Sequence, residues 1–313
     1  MSEPRQMPLL QPMTPDDLNR TTPLRDTISL FQTRLVREGK SQHTVKAFTA
    51  DLQLLGEHSG ETTPIGDYTT TRLNDFLSWL ENGRGVPCSR KSYARRVTTL
   101  KVYFKWLHEI GALGHDPAKV VLQRSGPAPL AVILTPRQVD DAIAHARALR
   151  TGAKPDARPE LLFRLLLETG VKKSETVRLT LDDVDRENPE RPILTVKHKP
   201  MKDVYRERRI VLSPESVTLL DEYAAQYAVQ DVIFDCTARN LEYVLEDVGR
   251  EAGIPHKLSF EMMRWTSAVR DFRAGIDPHA IRDKLGLSEV SWYETFAKIK
   301  RLTDQQLQNE ANV

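Results

Sequence analysis

Cysteine is almost missing from this 313-residue chain: only Cys88 and Cys236 occur, far apart and without CxxC spacing. That excludes a disulfide framework and a cysteine zinc site, and two neutral thiols in a reducing compartment are expected. No run of about 18 apolar residues occurs, so no membrane span is expected. The N-terminus carries Met, Pro, Gln and acidic residues where a secretory leader has a basic flank and an apolar segment, which points to the cytoplasm. The eight histidines show no ligand spacing. No glycine-rich phosphate loop and no local Ser, His and Asp nucleophile signature is found either, so neither a metal nor a cofactor is expected. Internal repeats are lacking. Net charge is scarce too, at +2, and by itself announces no polyanionic partner.

What is present describes two folded domains. The length allows each of two ordinary domains its own core, and 40% apolar with 28% charged residues is the composition of a soluble globular protein. Charge is unevenly spread: residues 25–127 hold 15 Lys and Arg against 10 Asp and Glu, whereas residues 128–313 hold 28 against 30. The basic excess sits in the first half.

Residues 1–24, rich in Pro, Thr and Gln without an apolar period, are expected to form a mobile arm, with Leu9 and Leu10 as a possible docking point. Ile28, Phe31 and Leu35 recur at helical spacing, a Gly stop and a Ser41 or Thr44 cap then open a second helix, and Thr70 is the predicted cap of a third bearing Leu73, Phe76, Leu77 and Leu80. A fourth helix carries an inward stripe of Val97, Leu100, Phe104 and Leu107. Between Gly83 and Lys105 stand Arg84, Arg90, Lys91, Arg95, Arg96, Lys101 and Lys105 with no acidic residue among them. Such a run is usually a solvated helix face. The missing counter-charge favours a surface that follows a phosphate backbone, with Lys91 and Arg95 one turn apart.

Gly126, Pro127 and Pro129 mark residues 124–133 as a linker, and Thr135 followed by Pro136 opens the first helix of a second domain, 134–300. That domain reads as a strongly apolar helix closed at Gly170, a short helix, a β-hairpin turning at Pro200 with a basic tip, a helix capped at Ser213, a short VIF strand, and helices stopped at Gly253, Gly275 and Gly286. Residues 301–313 are expected to be a polar tail, open to a helical conformation but with little apolar surface to bury.

Several strings, in this order and spacing, resemble the tyrosine recombinase or phage integrase family, with a Xer-like cast. They are REGKSQHTVKAFTADL, which looks like the family's Gly-x-Ser-x-x-Thr-x-x-x-Tyr helix start with Phe48 for tyrosine; SRKSYARRVTTLKVYFKWL followed by DPA; LTPRQVDDAI; ETGVKKSETVRLTLDDVD; the basic hairpin; AGIPHKLSFEMMRWTSA; and DKLGLSEVSWYETF. The likeness spans residues 25 to about 300. It implies a mainly α, two-domain C-shaped clamp on duplex DNA, with an all-helical core-binding (SAM-like) domain over 25–123 and a mainly helical catalytic-type domain with a small antiparallel sheet. It further implies chemistry without a metal: two arginines hold the scissile phosphate, a hairpin lysine protonates the leaving oxygen, His or Trp side chains assist, and a tyrosine attacks to form a covalent phosphotyrosine. A planar Arg fork suits paired phosphate oxygens, and a covalent intermediate conserves bond energy for religation.

At the positions that carry this chemistry the sequence departs from the pattern. Lys172 stands for the first arginine, keeping charge but losing the two-pronged grip. Lys199 best matches the hairpin lysine, with Lys197 and Lys202 as alternatives. In the His-x-x-Arg box Glu261 replaces histidine, Arg264 is kept and Trp265 follows; Leu287 replaces the histidine of Leu-Gly-His, and nine residues later Phe296 fills the tyrosine position. An ionised Glu261 about 4 Å from a phosphate oxygen would repel it by roughly 4 kcal/mol at an effective dielectric near 20. The resemblance therefore implies a DNA-binding but non-cleaving protein, acting as an architectural or regulatory factor or as a silent partner of an active recombinase, or self-associating. Its phosphate contacts would be Arg90, Lys91, Arg95, Arg96, Lys101, Lys105, Lys172, Lys197, Lys199, Lys202 and Arg264. Two alternatives remain open. One is an active recombinase whose displaced nucleophile is Tyr293, a residue that otherwise simply packs beside Trp292. The other is a protein-interaction scaffold, favoured by the acidic balance of the second half.

Overall fold

The structure, a computed structural model, describes residues 13–122, 130–198 and 207–311. Leu9, Leu10, the linker prolines and the hairpin tip with Lys199, Pro200 and Lys202 lie outside the described residues. The chain divides into two compact units, residues 1–128 and 129–313.

In the first unit α1 (Leu24–Arg37), α2 (Gln42–Ser59), α3 (Thr70–Asn82) and α4 (Arg90–Glu109) enclose one core. Local chemistry starts each of the last three: the side chains of Ser41, Thr69 and Ser89 accept the amide protons of Thr44, Arg72 and Ser92 at 3.1, 3.2 and 3.2 Å. The cap of α3 is thus Thr69, one residue ahead of the predicted Thr70, because the hydroxyl must precede the first helical residue. Gly39 and Gly60, with φ of +71° and +91°, take the chain out of α1 and α2 where a β-carbon would be strained. The predicted stripe of α4, Val97, Leu100, Phe104 and Leu107, is fully buried among Phe31, Leu52 and Phe76. Burying each such side chain contributes about 1.5–3 kcal/mol.

Residues 13–24 of the predicted mobile arm are ordered, and residues 1–12 lie outside the described residues. Pro15–Asp17 form a 3-10 turn, Leu18 is buried, the Asn19 and Thr22 backbones are tied by a turn bond of 2.9 Å, and Pro23 bridges Pro64. An apolar anchor followed by a closed turn explains why this piece packs.

The second unit contains α5 (Pro136–Thr151), α6 (Arg158–Thr169), α7 (Lys173–Thr176), α8 (Pro214–Tyr227), α9 (Ala238–Glu251), α10 (Phe260–Arg273), α11 (Pro278–Leu285) and α12 (Glu289–Ala311). Its antiparallel sheet runs β1 (Val184–Asp185), β2 (Ile193–Val196) and β3 (Arg208–Val211), with Leu194 opposite Ile210 and Val196 opposite Arg208. The VIF segment is not a strand: Val232 makes one isolated bridge to Thr180, while Ile233 and Phe234 simply bury their side chains. Leu130, Ala131 and Ile133, expected in the linker, pack against Ala268, Val269 and Trp292 as part of this unit. The expected polar tail, through its described residue Ala311, continues α12 without a break and buries little apolar surface: Leu302 is buried and Leu307 is exposed. It docks instead by polar contacts, since Gln306 donates to the Leu134 carbonyl at 3.1 Å and Arg273 grips Glu310 with two bonds of 2.7 and 2.8 Å.

Candidate functional site

Two helix ends and two arginines make the centre of the second unit. α6 ends at Gly170 and α11 at Gly286, both left-handed with φ of +59° and +58°, so each helix turns sharply and leaves its last carbonyls unpaired. Arg264, on α10, donates from one Nη to the Gly170 carbonyl and from the other to the Leu285 carbonyl. A guanidinium suits this position because it faces the negative ends of two helix dipoles at once. Burial pushes its pKa down to about 10, with Glu175 opposing and Arg208 reinforcing that shift. At neutral pH Arg264 therefore keeps its charge inside a partly dehydrated space, where an anion is held more strongly than in water.

Three of the positions named from the sequence lie on the turns Arg264 binds or in the apolar cluster of its neighbour Trp265. Lys172 caps the N-terminus of α7, and its amide donates to Glu175 Oε2 at 2.8 Å, which fixes the turn that follows Gly170. Leu287 and Phe296 share an apolar cluster with Trp265, the residue after Arg264. Phe296 stacks on Trp292 with ring centroids 5.2 Å apart, meets Phe272 edge-on at 5.5 Å, and lies under the Lys300 ammonium at 4.9 Å. Its phenyl ring is held in a defined place but carries no oxygen to attack phosphorus.

Other candidates stand differently. Glu261 is exposed in the first turn of α10, where the helix dipole favours a carboxylate. Lys197 pairs with the buried Asp183 at 2.7 Å. Asp183 stays below the usual carboxylate range although burial alone pushes it up, because Lys197 and the Thr180 amide outweigh that cost. Tyr293, expected to pack beside Trp292, is 81% exposed. On α12 it follows the buried Trp292 by one position, which turns it about 100° away from the core.

In the first unit the basic run of α4 is split by ion pairing. Arg95 grips the buried Asp51 with two bonds of 3.0 and 2.7 Å, Arg96 stands 3.5 Å from the same carboxylate, and Thr99 donates to it at 2.9 Å. Lys105 lies 3.6 Å from Glu109. Arg90 and Lys91 are exposed at the start of the helix and Lys101 is half-buried. The missing local counter-charge was real in sequence, yet Asp51 supplies it from α2.

Sequence reasoning missed Arg208, which is buried on β3. Its Nη atoms grip Glu175 at 3.1 and 2.8 Å and its Nε donates to the Lys284 carbonyl at 2.6 Å. A signal existed: Arg208, Ile210 and Leu212 alternate inward on the strand, and a charge at an inward position asks for a partner. Also missed was the pair of Lys284 with Asp271 at 2.5 Å, whose lysine burial holds below its usual pKa.

Among the described residues no cluster able to hold a metal ion is found, and no helix is long and apolar enough to cross a membrane. Residues 133–300 match the phage integrase family and residues 28–111 the phage integrase N-terminal SAM-like domain. Among curated proteins, the tyrosine recombinase XerD of Listeria innocua is 22% identical over 282 residues, covering 86% of this chain and 92% of that protein. The tyrosine recombinase XerC of a Mycobacterium species (strain KMS) is 25% identical over 303 residues, covering 90% and 98%. Among solved structures, the XerH site-specific recombinase bound to palindromic difH substrate superposes with a TM-score of 0.70 at 17% identity, over 96% of this chain and 92% of that one. A lambda integrase dimer bound to a COC' core site gives 0.68 at 14%, over 87% and 77%. These two share the fold: a helical SAM-like unit and a mainly helical unit with a small three-stranded antiparallel sheet. With both family segments matched in order, and Arg264 seated between the two turns that carry Lys172 and Leu287, this chain belongs to the phage integrase, or tyrosine recombinase, family and is Xer-like.

Proposed function

We propose that this protein binds duplex DNA at recombination-type sites and does not cleave it through position 296, serving as an architectural or regulatory factor or as the silent partner of an active recombinase or of its own copies. The observation that carries the reading is Arg264: a charged guanidinium at the meeting point of two helix C-termini, whose neighbour Trp265 shares an apolar cluster with Phe296, the residue at the position the resemblance gives to the nucleophile. It would bind a phosphate without supplying the group that attacks it. Lys172 stands at the same turn and adds charge without an Arg fork. Such a protein would reside on the nucleoid.

The test is binding of a mixed-sequence duplex across a salt series, together with incubation on nicked suicide duplexes. Log affinity should fall linearly with log salt, and denaturing gels should show no covalent adduct. Salt-independent binding, or none, would favour the interaction scaffold.

The partition of α4 makes a second expectation. Lys91→Gln and Lys101→Gln should each lower the salt slope by about 0.9, the value for one lost phosphate contact. Arg95→Ala should leave the slope unchanged and cost about 2 kcal/mol of stability, since it removes a charged hydrogen-bond partner from the buried Asp51. If Arg95→Ala changes the slope as the lysines do, Arg95 reaches DNA despite Asp51.

A second reading, cleavage by Tyr293, is favoured by one observation: its hydroxyl is exposed on α12 one turn before Phe296. An adduct formed by the wild-type protein and abolished in Tyr293→Phe would establish it. An adduct that survives this substitution would exclude Tyr293.

A further inference from the structure

We propose that Arg208 is a positioning residue for the phosphate grip: it sets the two cations of the site without touching DNA itself. This rests on the DNA-binding reading above.

The geometry links Arg208 to both cations by short paths. Of its five N–H donors, Nε is used on the Lys284 carbonyl at 2.6 Å, and one from each Nη on Glu175 at 3.1 and 2.8 Å. The Lys284 carbonyl precedes the Leu285 carbonyl that accepts from Arg264, so Arg208 and Arg264 hold successive carbonyls at the end of α11. On the other side, the Glu175 oxygen gripped by Arg208 also accepts the Lys172 amide at 2.8 Å. Arg208 thereby fixes the turn of Lys172 through one carboxylate and the support of Arg264 through one carbonyl. Gly286 leaves the room it needs, since a β-carbon there would come within 3.0 Å of Arg208 Nη1.

Packing alone does not call for a charge here. The next inward residues of the strand, Ile210 and Leu212, are apolar, and a buried ion pair is often matched or bettered in stability by apolar residues of similar volume. What an apolar residue would fail to do is orient Glu175 and the end of α11 together. Glu175 stays below the usual carboxylate range although burial alone pushes it up, because the Arg208 bonds and the Lys172 amide outweigh that cost. It is therefore an anion that cannot serve as a mobile counter-ion.

The experiment measures the salt slope of binding to a mixed-sequence duplex for the full chain, Arg264→Ala, Arg208→Met and the double variant, with thermal melts confirming the fold. Arg264→Ala should reduce the slope by about 0.9, and Arg208→Met by about 0.9 to 1.8, one to two phosphate contacts. The double variant should fall no further than Arg208→Met alone, because the Arg264 contact is already lost. An unchanged slope in Arg208→Met overturns the proposal. Additive losses overturn it as well, since they make Arg208 a contact in its own right. If Arg208→Met does not fold, Glu175→Gln replaces it under the same criteria. A wild-type protein without salt-dependent binding instead removes the DNA reading itself, an outcome visible before any variant is compared.

Discussion

Phe296→Tyr alone is expected to yield no measurable covalent adduct on nicked duplexes, whereas Lys172→Arg, Glu261→His, Leu287→His and Phe296→Tyr combined should yield one. The single change supplies a hydroxyl at a place where the ring already has a fixed seat between Trp292 and Phe272. It does not restore what makes a phenol, with pKa near 10, an effective nucleophile toward a phosphodiester. General acid–base help contributes about 10²–10⁴ in rate and a missing charge-stabilising donor costs about 10²–10³. On the proposed reading two such groups are missing at Glu261 and Leu287 and Lys172 lacks the Arg fork, so the single variant should be slower than the fourfold variant by at least about 10⁴. Gel quantification of adduct against time decides it. Comparable rates for the two variants would mean that the wild-type surroundings are already competent and that one missing oxygen alone accounts for any inactivity.

The largest expected stability effect lies away from this site. Glu160 is buried at 1% exposure beneath Arg150, Arg164 and Arg147, at 2.7, 2.8 and 3.4 Å, which ties α5 to α6. Glu160→Ala leaves three guanidinium groups crowded together with only Glu215 and Glu222 to answer them. Removing one partner of a buried ion pair costs about 3–5 kcal/mol, and the remaining surface carboxylates place this case near the lower figure. For a unit of this size that corresponds to a melting temperature lower by roughly 6–12 °C. A shift under two degrees would show that water and Glu215 replace Glu160 at no cost.

Acidification should act through the same carboxylate. Burial pushes the Glu160 pKa up, but the hydrogen bonds and charges of Arg164 and Arg150 outweigh it and hold the pKa below the usual value. A carboxyl whose folded pKa is depressed stabilises the fold above its unfolded pKa, near 4.3, and loses that contribution as pH falls through the lower folded value. Stability should decline below about pH 4.3. Glu160→Ala should flatten part of that decline, while Glu175, shifted in the same direction, retains the rest.

The helices of both units were legible in sequence because their causes are local. Ser41, Ser89, Thr135 and Ser213 cap within three residues, glycines end helices where a left-handed turn is needed, and the inward stripe of α4 repeats every three or four positions. Where locality was weak, the expectation failed: VIF has the residues of a strand but finds only one isolated bridge, and the last turns of α12 dock through Gln306 and Glu310, whose partners Leu134 and Arg273 are distant or on another helix. The candidate site divides in the same way. Lys172, Arg264, Leu287 and Phe296 are proposed positions that the family resemblance marks within short strings, and which residue stands at each is read directly from the sequence. Sequence alone therefore determined the order of the helices, the family resemblance, and the absence of a hydroxyl at position 296. Only the tertiary structure decided which charges remain available. Asp51 holds Arg95 across 44 positions of chain and Glu175 holds Arg208 across 33, and no periodic pattern records such pairings. The physical reason is that ion pairing depends on distance in space and on burial, which are properties of the packed chain and not of its local order.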